Sequence, residues 1–121
     1  MSLAYWLVAG LLAVTYLYGG LLKLVRSKDR LRPMMAWVDR MPLRTVRVIG
    51  ALEVLGALGL ILPPLTGMAP GLCVAAAVGL VLLQCGGIAT HLTSTDDRQI
   101  ILNVVLLVLA LAAVPLALAG L

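Results

Sequence analysis

Four long apolar runs divide the chain, at about residues 3–22, 45–62, 71–91 and 100–118. A membrane-spanning helix uses roughly 20 apolar residues, whereas the strands of a membrane barrel alternate apolar and polar positions. Because the four runs are continuous and do not alternate, they predict four transmembrane helices. The expected fold class is all-α, an integral membrane four-helix bundle that forms a single transmembrane domain over residues 1–121.

The first apolar run has two interpretations, a cleaved signal peptide or a retained helix. A signal peptide carries positive charge before its apolar segment, whereas the strong charges here follow the run. We therefore expect the first helix to be retained.

A short amphipathic segment lies between the first two runs. Its apolar side chains recur at spacings of 3, 1, 3 and 3, which is typical of a helical stripe, and they are Leu31, Met34, Met35, Val38 and Met41. With arginines beside the stripe, the segment predicts an interfacial helix at about residues 31–41. Its role stays open between a simple anchor and a lid or contact with anionic lipid.

Composition and charge narrow the class of protein. The chain is 63% hydrophobic and 12% charged, which leaves too little polar surface for a water-soluble domain. The net charge is +4, and eight of the nine basic residues lie between Lys23 and Arg47. The positive-inside rule places this connection in the cytoplasm and both termini outside the cell membrane, so no nucleic-acid partner is expected. Tyr5 and Trp6 then lie where an outer aromatic belt is expected.

The two cysteines predict neither a disulfide nor a metal site. Cys73 and Cys85 lie on the same predicted helix, about 18 Å apart along its axis. Cα atoms more than about 7 Å apart are not bridged, and the chain has no CxxC pair. We expect no metal and no cofactor.

Ionisable and amide side chains inside the spans are costly to bury, so each is a candidate functional residue. Counted from the ends next to the basic connection, Glu53 lies deepest, at about 13 Å, and the others lie nearer that boundary. Helical spacing directs these residues toward one polar cluster in the cytoplasmic half of the bundle. They are Tyr16, Lys23, Arg47, Glu53, Gln84, His91 and Asn103.

Glu53 and His91 are the predicted catalytic pair. In hydrocarbon Glu53 is either neutral or paired with a cation, and Lys23, Arg47 and His91 are the available partners. A structural clamp and an acid/base carboxylate both fit Glu53. His91 fits a solvated side chain, a partner of Glu53 or of a bound polar group, or, least well, a haem or metal ligand. The predicted substrate-binding residues are Tyr16, Lys23, Arg47, Gln84 and Asn103, although Lys23 also fits a side chain that extends to the interface.

Four short motifs give the chain a family resemblance. They are YGGLLKL at Tyr18–Leu24, RVIGALE at Arg47–Glu53, LPP at Leu62–Pro64 and ATH at Ala89–His91. In order and spacing they resemble the DoxX-like membrane proteins over nearly the whole chain. The resemblance implies a four-helix membrane bundle in a family of which some members are linked to redox systems or to thiosulfate and quinone chemistry. Since this chain lacks a cysteine pair, the resemblance implies no specific activity.

Three functions follow from the sequence. The favoured function is binding of a hydrophobic small molecule, quinone- or isoprenoid-like, with cofactor-independent proton transfer of the isomerase or cyclase type as its catalytic form. The alternative is a non-enzymatic subunit or scaffold, as a homo-oligomer or in a membrane redox complex. Less favoured is a proton-coupled transporter, because the carboxylate lies on the second helix and no aromatic box surrounds it.

Overall fold

The computed structural model describes residues 2–26, 29, 42–67, 71–91 and 97–121, without the side chains of residues 90, 91 and 97–99. The described chain forms four α-helices, α1 (Leu3–Val25), α2 (Leu43–Thr66), α3 (Leu72–His91) and α4 (Asp97–Ala119). Each helix is long and apolar enough to cross a membrane. The predicted all-α bundle of four spans is therefore confirmed, whereas the interfacial helix predicted at about residues 31–41 lies outside the described residues.

The helices form a closed ring in chain order. α1 packs against α2, α2 against α3, α3 against α4, and α4 against α1. Neighbouring helices run antiparallel. Tyr5 at the start of α1 contacts Leu60 near the end of α2. In the same way Gly59 on α2 lies beside Ala76 near the start of α3, and Gly87 near the end of α3 lies beside Asn103 near the start of α4. One end of the bundle thus gathers the last turns of α1 and α3 and the first turns of α2 and α4. We call it the basic end, since the basic connection joins α1 to α2 there.

Small residues fill the interior, and large apolar residues cover the outside. Alanine is the most frequent buried residue, at positions 9, 13, 57, 77, 110, 113 and 117. Leu3 is 75% exposed and Val14 is 71% exposed, and at most 39% of any span is buried. Lipid chains are as apolar as leucine, so membrane helices associate through close backbone approach rather than through burial of large side chains. The distribution suits a bundle surrounded by lipid.

The end of α2 differs from the prediction, because the helix continues through Pro63 and Pro64 to Thr66. A proline has no N–H group, so the carbonyl four residues before it loses its helical donor. The Leu60 carbonyl, which precedes Pro64 by four residues, instead accepts a hydrogen bond from the Tyr5 hydroxyl at 2.5 Å. The helix then ends at Gly67, whose φ of 73° is the left-handed conformation that favours glycine.

Tyr5 therefore has a different role from the one predicted. The sequence places it in an outer aromatic belt, but its side chain is fully buried in the core. Trp6, the next residue, is half-buried and packs edge-to-face against Tyr5, with ring centroids 5.5 Å apart. The Tyr5 hydroxyl is directed inward because Pro64 has no N–H group, which leaves the Leu60 carbonyl free to accept its hydrogen bond.

We expect Tyr5→Phe to lower the free energy of unfolding by about 1–3 kcal/mol, because the Leu60 carbonyl then stays buried without this donor. Unfolding of the purified protein in detergent measures the change. Tyr18→Phe is the matched control, since Tyr18 is on the same helix and 60% exposed. Pro64→Ala returns an N–H group to the Leu60 carbonyl, so Tyr5→Phe should cost less in that background. Equal losses in the Tyr5 and Tyr18 variants would contradict the assignment.

Candidate functional site in the basic half of the bundle

Five polar side chains from all four helices are buried in the basic half, and we call them the polar layer. Their exposed fractions lie between 2% and 9%, and they are Tyr16, Lys23, Glu53, Gln84 and Asn103. All except Lys23 lie six to ten residues from the helix ends at the basic end, which is about 9–15 Å along a helix. The structure thus places five of the seven predicted site residues inside the bundle, in the half next to the basic end.

Lys23 and Glu53 form a buried ion pair. The Lys23 ammonium donates a hydrogen bond to Glu53 Oε1, and the two side chains are 10% and 8% exposed. A single buried charge is strongly unfavourable, whereas a close pair compensates both charges. Of the possible cationic partners of Glu53, Lys23 is the one that the structure pairs with it. Its side chain turns into the bundle instead of extending to the interface.

Two glycines allow this pair to form. A Cβ atom on Gly20 would lie 2.7 Å from the Gly50 carbonyl oxygen, and one on Gly50 would lie 2.7 Å from the Gly20 carbonyl oxygen. No side chain fits at either position, so α1 and α2 touch through their backbones. Lys23 follows Gly20 by three residues and Glu53 follows Gly50 by three, about one helical turn each. The backbone contact therefore sets the distance between the two charges.

Arg47 contacts the backbone of Lys23. Its Nη1 donates to the Lys23 carbonyl oxygen at 2.5 Å, and its side chain is half-buried. The last carbonyls of a helix have no donor within the helix, and a positive charge is favourable near them. Arg47 thus ties the start of α2 to the end of α1 and positions Lys23. The sequence predicts a substrate-binding role for Arg47, and the contact seen here is a structural one.

Tyr16, Gln84 and Asn103 bring polar atoms from α1, α3 and α4 into the layer. The Tyr16 hydroxyl lies near the Gln84 amide and the Glu53 carboxylate but forms a hydrogen bond with neither. The Asn103 amide lies beside Gly87, where a Cβ atom would be 3.7 Å from Asn103 Nδ2. Within the described residues, Tyr16 Oη, Gln84 Oε1 and Asn103 Nδ2 are buried and have no hydrogen-bond partner. The layer therefore holds unused hydrogen-bonding capacity on three helices.

The polar layer, as the structure describes it, includes neither His91 nor the two cysteines. His91 is the last residue of α3, one turn beyond Gly87, and its side chain lies outside the described residues. Its catalytic role stays a prediction. Cys73 is buried toward the opposite end of the bundle, Cys85 is exposed, and both are free thiols. No group of three or more possible metal ligands occurs among the described residues.

Sequence reasoning missed the inward role of Tyr5 and the direct contact between Gly20 and Gly50. Tyr5 is detectable in principle, because Pro64 leaves the Leu60 carbonyl without its helical donor and a buried hydroxyl can replace it. Helical spacing places Gly20 on the same face as Tyr16 and Lys23, and Gly50 on the same face as Glu53, and small residues on such faces allow close helix approach. Their contact depends on the rotation of α1 against α2, which the sequence does not encode locally.

We expect Lys23→Met and Glu53→Gln each to lower the free energy of unfolding by about 3–5 kcal/mol, because each leaves one buried charge uncompensated. The double variant Lys23→Met/Glu53→Gln removes both charges and should lose much less than the sum of the two. Detergent unfolding of the four proteins gives the coupling energy. Arg44→Met, which removes an exposed cation from the first turn of α2, is the control. Additive losses would show that the charges do not interact.

The comparison with known proteins covers almost the whole bundle. The sequence profile of the DoxX-like family matches residues 7–113, a range that runs from α1 into α4 and includes the entire polar layer. No curated protein and no solved structure matches the chain.

Proposed function

This chain belongs to the DoxX-like family, and we propose that it binds a lipid-soluble small molecule, quinone- or isoprenoid-like, by its polar end. The observation that carries the proposal is the set of three buried, unpartnered atoms, Tyr16 Oη, Gln84 Oε1 and Asn103 Nδ2. Inside a bilayer no bulk water satisfies such groups, and each costs about 1–3 kcal/mol while it is unpaired. A hydroxyl or carbonyl group on a ligand would supply the missing partners.

The charge of the layer favours a neutral ligand. Lys23 compensates Glu53 within the layer, so neither an anionic nor a cationic ligand gains a counter-charge there. Binding sites for small molecules are mostly apolar and orient the ligand with a few placed polar groups. A ligand with one neutral polar end and an apolar body matches both properties.

The catalytic form of the proposal uses Glu53 as the proton acceptor. Oε1 is bonded to Lys23, whereas Oε2 lies beside Gly19, where a Cβ atom would be only 3.3 Å away. Oε2 would take a proton from one atom of the ligand and His91 would deliver a proton to another atom. The proton on Glu53 would then pass back to His91, so that the net reaction is an isomerisation or a cyclisation and consumes no cofactor. His91, near the basic end, would exchange protons with water.

A scaffold is the second candidate function, and the outer face of α3 favours it. Gly79 and Gly86 are exposed there, and a Cβ atom on either would have no neighbouring atom within 4 Å. Small lipid-facing residues let another membrane helix approach closely. The partner would be a second copy of the chain or a subunit of a membrane redox complex. Proton-coupled transport has weaker support, because Lys23 already occupies the carboxylate that would have to bind the cargo cation.

The charge distribution supports an orientation as well. Eight of the nine basic residues lie from Lys23 to Arg47, at or next to the basic end. By the positive-inside rule we place this end at the cytoplasmic face of the cell membrane, with both termini outside.

We expect the purified protein to retain a lipid-soluble molecule with a hydroxyl or carbonyl end, detected by mass spectrometry of its lipid extract. Gln84→Leu and Asn103→Leu should lose this molecule without loss of stability, because each replaces an unsatisfied polar side chain by an apolar one of similar size. Cys85→Leu changes the exposed neighbour of Gln84 and serves as the control. Identical extracts from all four proteins, containing only bulk bilayer lipid, would contradict the proposal.

The catalytic step is tested with a variant that removes Glu53 and its partner Lys23 together, so that no buried charge is left unpaired. Lys23→Met/Glu53→Gln removes the carboxylate and leaves no uncompensated lysine, and His91→Ala removes the proposed proton relay. Both variants should accumulate the unconverted form of the molecule, which chromatography separates from the converted isomer. If both variants and the wild type hold the same isomer, the protein binds the molecule without converting it.

A further inference from the structure

An apolar groove lies between α2 and α3 on the lipid-facing side of the bundle. Its volume is about 460 Å³, within the range of about 300–1,000 Å³ that small-molecule pockets occupy. Small residues, Gly56, Ala76 and Gly79, share the lining with five leucines, at positions 52, 55, 80, 82 and 83. Leu52, Leu55 and Leu82 are 50%, 65% and 67% exposed. The groove therefore opens toward lipid chains.

The space in the groove lies over Gly79. A Cβ atom on Gly56 would lie 2.6 Å from Leu80 Cδ2, so the Leu80 side chain already fills the position next to Gly56. A Cβ atom on Gly79 would meet no atom within 4 Å. A larger residue at Gly79 would therefore occupy the groove without displacing the packed core.

One end of the groove lies at the same level along α2 and α3 as the polar layer. Leu52 immediately precedes Glu53, and Leu83 immediately precedes Gln84. From these residues the groove runs one to two helical turns away from the basic end, to Leu55 on α2 and Ala76 on α3. A chain-shaped molecule in the groove thus has one end at the level of Glu53 and Gln84 and its length along the bilayer normal.

We propose that this groove holds the hydrocarbon chain of the ligand whose polar end binds the polar layer, an inference that rests on the proposed function. The ligand is then an amphiphile with a neutral hydroxyl or carbonyl end and an extended alkyl or isoprenyl chain. It reaches its site sideways from the bilayer, between α2 and α3. A compact ligand without a chain gains nothing from the groove.

Two probes separate the chain from the polar end. They are a decyl-substituted hydroquinone and unsubstituted hydroquinone, titrated against the purified full-length protein in nanodiscs. Gly79→Leu should weaken binding of the decyl probe at least about tenfold, or about 1.4 kcal/mol, and leave the unsubstituted probe unchanged. Gly86→Leu is the matched control, because Gly86 is also exposed on α3 with open space and does not line the groove. Gln84→Leu should weaken both probes.

Each other outcome overturns a defined part. Unchanged binding of the decyl probe by Gly79→Leu, with weaker binding of both probes by Gln84→Leu, overturns the groove and leaves the proposed function standing. Equal weakening by Gly79→Leu and Gly86→Leu reflects a general effect on α3 and also overturns the groove. A wild-type protein that binds neither probe overturns the groove and the proposed function for this class of ligand together.

Discussion

A charged side chain inside a bilayer is strongly destabilising unless an opposite charge lies next to it. The Lys23–Glu53 ion pair therefore constrains how α1 and α2 pack. The Lys23–Glu53 pair requires backbone contact at Gly20 and Gly50, and Arg47 holds the end of α1 in place by binding the Lys23 carbonyl. At the other end, Tyr5 binds the Leu60 carbonyl. The two helices are thus joined near both ends by polar contacts. Such contacts stabilise membrane helix pairs, because moving leucine from lipid into a helix interface gives no hydrophobic free energy. α3 and α4 complete the layer with amides.

The number and type of the helices could be predicted because each apolar run is continuous and long. Their inward faces could be predicted only where polar or small residues mark them, as Gln84 and Ala77 do on α3 and Asn103 and Ala110 do on α4. In a helix that is apolar all round, core and lipid positions carry the same residue types, so periodicity does not mark the buried face. Tyr5 shows the consequence, since a tyrosine near a helix end fits an interfacial belt until the proline on the next helix is taken into account. The predicted end of α2 was too early because the same contact was not foreseen. The Tyr5 hydroxyl gives the Leu60 carbonyl the hydrogen bond that Pro64, which has no N–H group, cannot donate.

The cost of burying polar groups predicted the residues of the polar layer, but it did not predict which of them are partners. Lys23, Arg47 and His91 are all within reach of Glu53 by sequence position, and the Gly20–Gly50 contact selects Lys23. Arg47, about one helical turn closer to the basic end than Gly50, contacts the end of α1 instead. That Tyr16, Gln84 and Asn103 keep unpaired atoms follows from side-chain geometry alone. The sequence predicted which residues are polar and buried. The structure shows which of them have polar atoms without a hydrogen-bond partner among the described residues.

The polar layer lies off the centre of the bundle, and this has an electrical consequence. From Glu53 to the end of α2 at Thr66 the helix runs thirteen residues, about 20 Å, past buried side chains such as Ala57 and Leu60 that carry no polar atom. In the proposed proton exchange, Glu53 would therefore be reached from the basic end, because the buried Tyr5 hydroxyl on the other side is already bonded to the Leu60 carbonyl. Each charge carried across a membrane dissipates about 2.3 kcal/mol per 100 mV of membrane potential. A bundle that works as proposed would exchange protons with one compartment only and would leave the membrane potential unchanged.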